Sequence, residues 1–129
     1  YKSAGAPSYQ NLSSRTMILT GLVLGSFLVW HLLTFKFGVR YTVPGSDMRD
    51  LARLVIEKFR QPVYTVSYFG VITILATHLR HGIWSALQSL GALNAHIRPA
   101  IYATSLVLAV GIATGFVVLP LAIYFGFVG

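Results

Sequence analysis

Three long stretches of this chain carry no charged residue, and the charged residues lie between and around them. The stretches are residues 16–35, 61–79 and 99–129, and they are 20, 19 and 31 residues long. A helix that crosses a bilayer needs about 20 predominantly apolar residues. The pattern predicts an all-α integral membrane helical bundle. It forms a single transmembrane domain over residues 1–129, with spans at about 16–35, 62–86 and 99–124.

The connection between the first two spans contains a shorter periodic segment. Its apolar positions fall on one helical face and are Leu51, Leu54, Val55 and Phe59. This spacing predicts an amphipathic helix at about residues 46–60, capped by Ser46 or Asp47. Such a helix lies on the membrane surface or packs as a solvated helix on partner subunits, and the sequence favours neither.

Composition narrows the possible chemistry. The chain is 55% hydrophobic and only 10% charged, whereas soluble domains carry about 25% charged residues. The net charge of +7 comes from Lys and Arg that flank the spans, which indicates contact with lipid headgroups and no nucleic-acid partner. The absence of cysteine excludes disulfides and thiolate-bound metal or iron–sulfur centres. We predict no catalytic residue, so any chemistry belongs to a bound cofactor.

Two histidines, His31 and His78, lie deep within the uncharged runs. An ionisable residue inside a membrane span is a functional-site hypothesis by default. Consecutive spans run in opposite directions, so the two imidazoles should differ in depth by about 15–20 Å. If both bind a metal or haem, they serve two centres, each needing a second ligand from outside this chain. Alternatively, such a histidine hydrogen-bonds a neighbour or extends to the interface.

The surroundings of His78 suggest a flat macrocycle. Gly82 and Ser85 follow it at helical spacing and predict a stripe of small residues that a planar ring can approach. Three arginines could pair with haem propionates or a quinone carbonyl: Arg15, Arg60 and Arg80. For each of them, anchoring at the membrane interface is the alternative role. Of His78 and His81, one is the ligand, and the other is a polar residue at the headgroup level or beside the propionates.

Four segments, in order along the chain, resemble a known family. They are SSRTMILTG, FLVWHLLTF, DMRDLARLVIEKFRQPVY and THLRHGIWSALQSLG. Together they resemble the cytochrome b membrane-anchor subunit of succinate dehydrogenase and fumarate reductase, in its five-helix, two-haem form. The most specific stretch is HLRHGIWSALQSLG. The resemblance covers nearly the whole chain and implies that it contains the last three of the five helices.

This resemblance implies a function and a set of ligands. His31 would bind the iron of the haem b far from the hydrophilic subunits, and His78 that of the haem b near them. The other two ligands would lie on the first two helices of the family. The chain would be a non-catalytic electron-transfer subunit in a bacterial cytoplasmic membrane. It would connect the iron–sulfur and flavoprotein subunits to a quinone, usually menaquinone, and the whole complex could form a higher oligomer.

Two alternatives remain open. SSRTMILTG also resembles the quinone-side serine–arginine motif of three-helix anchors that hold one haem, in which case His78 is a ligand and His31 is not. The second alternative belongs to a different functional class. In it, the chain is a transporter or channel segment whose histidines relay protons.

Overall fold

The computed structural model describes residues 7–91, 94 and 96–129, with side chains from residue 15 onward. Its helices are α1 (Pro7–Phe35), α2 (Leu51–Phe59), α3 (Pro62–Ser89) and α4 (Arg98–Tyr124). Three of them, α1, α3 and α4, are long and apolar enough to cross a membrane. The chain is therefore a helical, multi-pass membrane protein, as the charge pattern predicts.

Proline explains where the second and third long helices begin. Pro62 and Pro99 both lie in the first turn of their helices, where a missing backbone N–H leaves no hydrogen bond unmade. Pro120 lies inside α4, yet the helix continues through it to Tyr124. The last uncharged run thus contains one long helix of about 40 Å rather than two short spans.

The long helices pack in a row with α3 in the middle. α3 packs along both α4 and α1, and in the described part of the chain no Cα atom of α1 lies within 8 Å of one of α4. Their outward faces are apolar and exposed, with Leu22 65% and Val107 69% accessible. The space between α1 and α4 is therefore open, with α3 as its floor.

The amphipathic helix begins later than the sequence predicts. α2 starts at Leu51, and its N-cap is Asp50, whose Oδ1 accepts a hydrogen bond from the Arg53 backbone N–H at 3.1 Å. The predicted caps, Ser46 and Asp47, precede the helix. The prediction of a helix from residue 46 is therefore wrong for its first five residues.

A tight turn accounts for this late start. Thr42 and Arg49 form an isolated antiparallel bridge, and the chain reverses between them. The Ser46 N–H donates to the Val43 carbonyl at 3.1 Å, and Gly45 has a φ of +80°, as the third residue of a type II turn requires. Residues 42–49 use their backbone groups in this turn and are not available for helix.

Side chains of the turn hold it against the helices on either side. The Arg49 guanidinium donates to the carbonyl oxygens of Phe35 and Lys36, which lie at the end of α1 and have no partner within the helix. Tyr41 donates to Glu57 Oε2 of α2 at 2.5 Å. This hydrogen bond raises the pKa of the Tyr41 phenol, because the carboxylate stabilises the protonated form.

The apolar face of α2 packs on the chain's own long helices. Leu54 is 1% exposed and Phe59 5%, whereas Leu51 is 43% exposed. The ring of Phe59 contacts Phe35 of α1 at a centroid distance of 5.8 Å and Tyr68 of α3 at 4.7 Å. α2 thus closes one end of the bundle, an arrangement that neither sequence interpretation included.

This packing predicts unequal effects of truncation along α2. Leu54→Ala should lower the free energy of unfolding by about 2–5 kcal/mol, because it leaves a cavity in a filled core. Leu51→Ala, on the same helix, should change it by no more than about 0.5 kcal/mol. Unfolding of the purified protein in detergent measures both, and equal effects would contradict the placement of α2.

Candidate functional site

The two intramembrane histidines lie at different levels of the α1–α3 pair. His78 Nδ1 of α3 is 2.8 Å from Thr20 Oγ1 of α1, and His31 Nδ1 of α1 is 2.8 Å from Tyr68 Oη of α3. Along each helix these two contacts are ten or eleven residues apart, which corresponds to about 15 Å. The predicted separation in depth is confirmed, and one iron cannot be bound by both imidazoles.

Thr20 is the hydrogen-bond partner of His78 within the bundle. Its Oγ1 lies 2.8 Å from the Thr16 carbonyl, 3.2 Å from the Met17 carbonyl and 2.8 Å from His78 Nδ1. When the hydroxyl proton goes to either carbonyl, the oxygen accepts the hydrogen bond from His78, and the proton of the neutral imidazole is on Nδ1. No described residue hydrogen-bonds the opposite nitrogen, Nε2, which retains its lone pair in that tautomer. Metal-binding histidines show this pattern, with the remaining N–H donated to a nearby acceptor.

An open cavity of about 550 Å³ lies beside His78, within the size range of small-molecule sites. All three long helices contribute to its wall, including Thr20 of α1, His78 and Trp84 of α3, and Tyr102 of α4. It occupies the gap that remains because α1 and α4 do not pack on each other. A histidine without a described partner at Nε2 thus borders an open cavity.

A small residue of the neighbouring helix lies against His78. A Cβ atom built at Gly21 of α1 would lie 3.6 Å from Cε1 of His78. On α3 itself, a Cβ at Gly82 would lie 3.8 Å from Cε of Met17, and Ser85 is exposed. The predicted stripe of Gly82 and Ser85 therefore lies next to the cavity but does not border it.

Two of the four predicted polar candidates border the cavity, and Arg60 lies away from it at the end of α2, where it donates to the Gly129 carbonyl. Arg80 donates to the Tyr102 hydroxyl, and its guanidinium lies 4.6 Å from the centre of that ring. The Tyr102 ring in turn meets the Trp84 ring edge-on at 5.4 Å. His81 also borders the cavity. Arg15 is exposed and does not border it.

His31 lies in an aromatic cluster instead. Its ring centroid is 5.9 Å from that of Phe27, 5.3 Å from Phe35 and 5.8 Å from Tyr68. In the described residues the Tyr68 hydroxyl has no partner besides His31. Their hydrogen bond can therefore run either way, with Tyr68 or with Nδ1–H as the donor. Only donation from Nδ1–H to Tyr68 leaves Nε2 of His31 with a lone pair.

The sequence interpretation missed the hydrogen-bond partners of the two imidazoles, Thr20 and Tyr68, and the close approach of Gly21 to His78. The usable signal was the predicted depth difference of at least about 15 Å, which corresponds to about ten residues along a helix. In an antiparallel pair with that difference, the residue about ten positions before one histidine lies level with the other histidine. Counted back from His31, this spacing indicates Thr20 or Gly21 as the residue level with His78. Counted back from His78, it indicates Tyr68 as the residue level with His31.

No protein-family model, curated protein or solved structure matches this chain. In the part of the chain that the structure describes, no three His, Asp or Glu side chains converge as a metal site. A metal at either histidine would therefore need ligands from a cofactor or from other helices. The chemistry of the site must be inferred from its own geometry.

The hydrogen bond to Thr20 predicts the tautomer of His78. In the full chain in lipid nanodiscs, ¹⁵N chemical shifts of the histidine rings should show His78 protonated on Nδ1. Thr20→Val should abolish this fixed tautomer because it removes the acceptor, whereas Thr20→Ser should preserve it. A wild-type His78 protonated on Nε2 would refute the assignment.

Proposed function

We propose that this chain is a haem-b-binding membrane anchor of succinate:quinone oxidoreductase, which passes electrons between an iron–sulfur subunit and a membrane quinone. The observation that carries the proposal is the His78 imidazole, which contacts Thr20 through Nδ1, has no described hydrogen-bond partner at Nε2 and borders an open cavity. The segment around His78 is also the one that most resembles the family. Haem supplies reversible one-electron chemistry when bound.

The residues around the cavity suit a macrocycle with a polar edge. Nε2 of His78 would hold the iron, while Thr20 keeps the ring oriented by accepting its Nδ1–H. The aromatic rings of Trp84 and Tyr102 offer apolar contact surface. The Arg80 guanidinium is a partner for carboxylates, as arginine forms charge-assisted hydrogen bonds of fixed geometry with them.

His31 would hold a second haem b at the other level of the bundle. It cannot share the first centre, because the contacts of the two histidines lie about 15 Å apart along the helices. Each iron would take its other axial ligand from a helix outside this chain. The outward face of α1 supports this, since α1 has α3 as its main neighbour and exposes large apolar side chains.

One observation favours a second candidate, the anchor with a single haem. Tyr68 is 5% exposed, and a buried hydroxyl without an acceptor is unfavourable by about 1–3 kcal/mol. Donation from Tyr68 to Nδ1 of His31 avoids that penalty and places the imidazole proton on Nε2. His31 would then be a structural residue, and His78 the only ligand from this chain.

The partners follow from the same proposal. The flavoprotein and iron–sulfur subunits of the complex would bind at the membrane face nearer to His78, and menaquinone or another quinone would bind within the bilayer. The membrane would be the bacterial cytoplasmic membrane, and the assembly could form a higher oligomer. Oxidation of succinate or reduction of fumarate would take place on the other subunits.

The proposal predicts a haem spectrum that depends on His78. The purified complex should show a b-type α band in its reduced-minus-oxidised spectrum. His78→Ala should remove one haem, whereas His81→Ala, one turn away, should retain it. Complete absence of the band in the wild type would refute both redox candidates and leave the proton-relay alternative. The reverse result for the two variants would show that His81 is the ligand.

Glycine at position 21 should be needed for the same site. Gly21→Leu places a branched side chain where the His78 ring lies, since even a Cβ there is 3.6 Å from Cε1. The variant should lose the haem bound at His78. Gly25→Leu is the matched control, because a Cβ at Gly25 has no atom within 4 Å. Quantification of haem in both purified variants tests this, and equal haem contents would contradict it.

A further inference from the structure

We infer that the outward face of α2 binds the headgroup of an anionic phospholipid, with the phosphate between Arg53 and Arg60. The inference goes beyond the proposed function and does not depend on haem. The juxtaposition that carries it is a pair of exposed arginines on one helix face, at the border of an open cavity and at the surface of the membrane.

The position of α2 places it at the membrane surface. It lies between the end of one span at Phe35 and the start of the next at Pro62, and it packs against all three long helices. These two span ends lie at the same membrane face, because consecutive spans cross in opposite directions. The side of α2 that faces away from the bundle therefore meets the lipid headgroups, where Arg and Lys commonly contact phosphate.

The two arginines lie on the same side of α2. They are seven residues apart, which corresponds to two helical turns and about 10 Å along the axis. Arg53 and Arg60 are both exposed, and together with Ala52 and Ile56 they border an open cavity of about 550 Å³. This cavity combines two cationic groups with an apolar patch, as the junction of a lipid phosphate and its acyl chains requires.

Two carboxylates also border the cavity, and both are used within the protein. Asp50 Oδ1 accepts a hydrogen bond from the Arg53 backbone N–H at 3.1 Å, and Glu57 Oε2 accepts one from the Tyr41 hydroxyl at 2.5 Å. Within the described ranges, neither Arg53 nor Arg60 forms an ion pair with a carboxylate. The acids thus stabilise the fold around α2 and leave both guanidinium charges without an anionic partner.

Both guanidinium groups keep N–H donors for a ligand. That of Arg53 lies over the ring of Tyr41, 4.1 Å from its centre, and this stacking leaves the N–H groups at its edge available. Arg60 donates through Nη2 to the Gly129 carbonyl at 2.5 Å, and its other N–H groups remain. Phosphate oxygens accept paired, charge-assisted hydrogen bonds from the planar guanidinium group.

The surrounding segment favours an anionic lipid over a cation or a free anion. Residues 36–60 contain six Lys or Arg and three Asp or Glu, which leaves a net charge of +3. The start of α3 follows Arg60 directly and exposes Val63 and Val66 by 70% and 69%. Acyl chains attached to the phosphate can extend along these side chains into the bilayer, whereas inorganic phosphate has no use for them.

The test is lipid binding by the intact protein, purified in detergent, delipidated and titrated with phosphatidylglycerol under native mass spectrometry. The double variant Arg53→Gln with Arg60→Gln should bind at least about tenfold more weakly, because it loses charge-assisted hydrogen bonds to the phosphate. Lys36→Gln with Arg40→Gln is the matched control. Both of its residues are exposed in the same connection and do not border the cavity, so the affinity should change by no more than about threefold.

Two further titrations identify the ligand. Phosphatidylcholine, whose headgroup has no net charge, should bind more weakly than phosphatidylglycerol, and inorganic phosphate should not displace the lipid. Equal affinity for the two lipids, or displacement by phosphate, would overturn the inference. Equal effects of the two double variants would overturn it as well, because they would show a diffuse attraction by surface charge.

A second pair of variants covers the case in which loss of both arginines prevents folding. Ala52 is exposed and borders the cavity. Ala52→Glu places a carboxylate beside the phosphate position and retains both arginines, so it should weaken the binding of phosphatidylglycerol. Ala52→Gln has the same size without the charge and should bind more tightly than Ala52→Glu. Equal affinities of these two variants would contradict a phosphate at this site.

Discussion

An imidazole inside a bilayer must find its hydrogen-bond partner within the protein, because lipid tails offer none. In this chain both intramembrane histidines meet that requirement across the same interface, between α1 and α3. His78 pairs with Thr20 and His31 with Tyr68. Two polar contacts about three helical turns apart fix the register of one helix against the other. The level of each imidazole, the position of the cavity and the rotation of α3 toward α4 all depend on that register.

The two contacts are similar in length but differ in what they allow. Thr20 has two backbone carbonyls within reach of its proton, so its oxygen is able to accept from His78 Nδ1 and leave a lone pair on Nε2. Tyr68 has no acceptor besides His31 among the described residues, so its buried hydroxyl favours donation to Nδ1 of His31. The contact at His78 is therefore compatible with a ligand on Nε2, whereas the contact at His31 favours a proton on that atom. In both cases a residue one step away from the ligand position orients the imidazole.

Charge placement and proline predicted the long helices well, because burial in lipid excludes charge over a fixed length. The same reasoning predicted the difference in depth between His31 and His78. It failed at the start of α2, where Ser46 and Asp47 fit the capping pattern but their backbone is used in a turn around Gly45. It also missed Thr20 and Gly21, because periodicity along one helix does not reveal which residue of a neighbouring helix faces it. That information depends on helix rotation, which only packing determines.

The central claim is that His31 and His78 serve two separate haem centres. The most direct measurement is the number of haems per chain in the purified complex, for the wild type and for His31→Ala. The account predicts two haems in the wild type and one in the variant, with the remaining haem bound at His78. A single haem in the wild type that persists in His31→Ala would contradict it, since His31 would then be a structural histidine held by Tyr68.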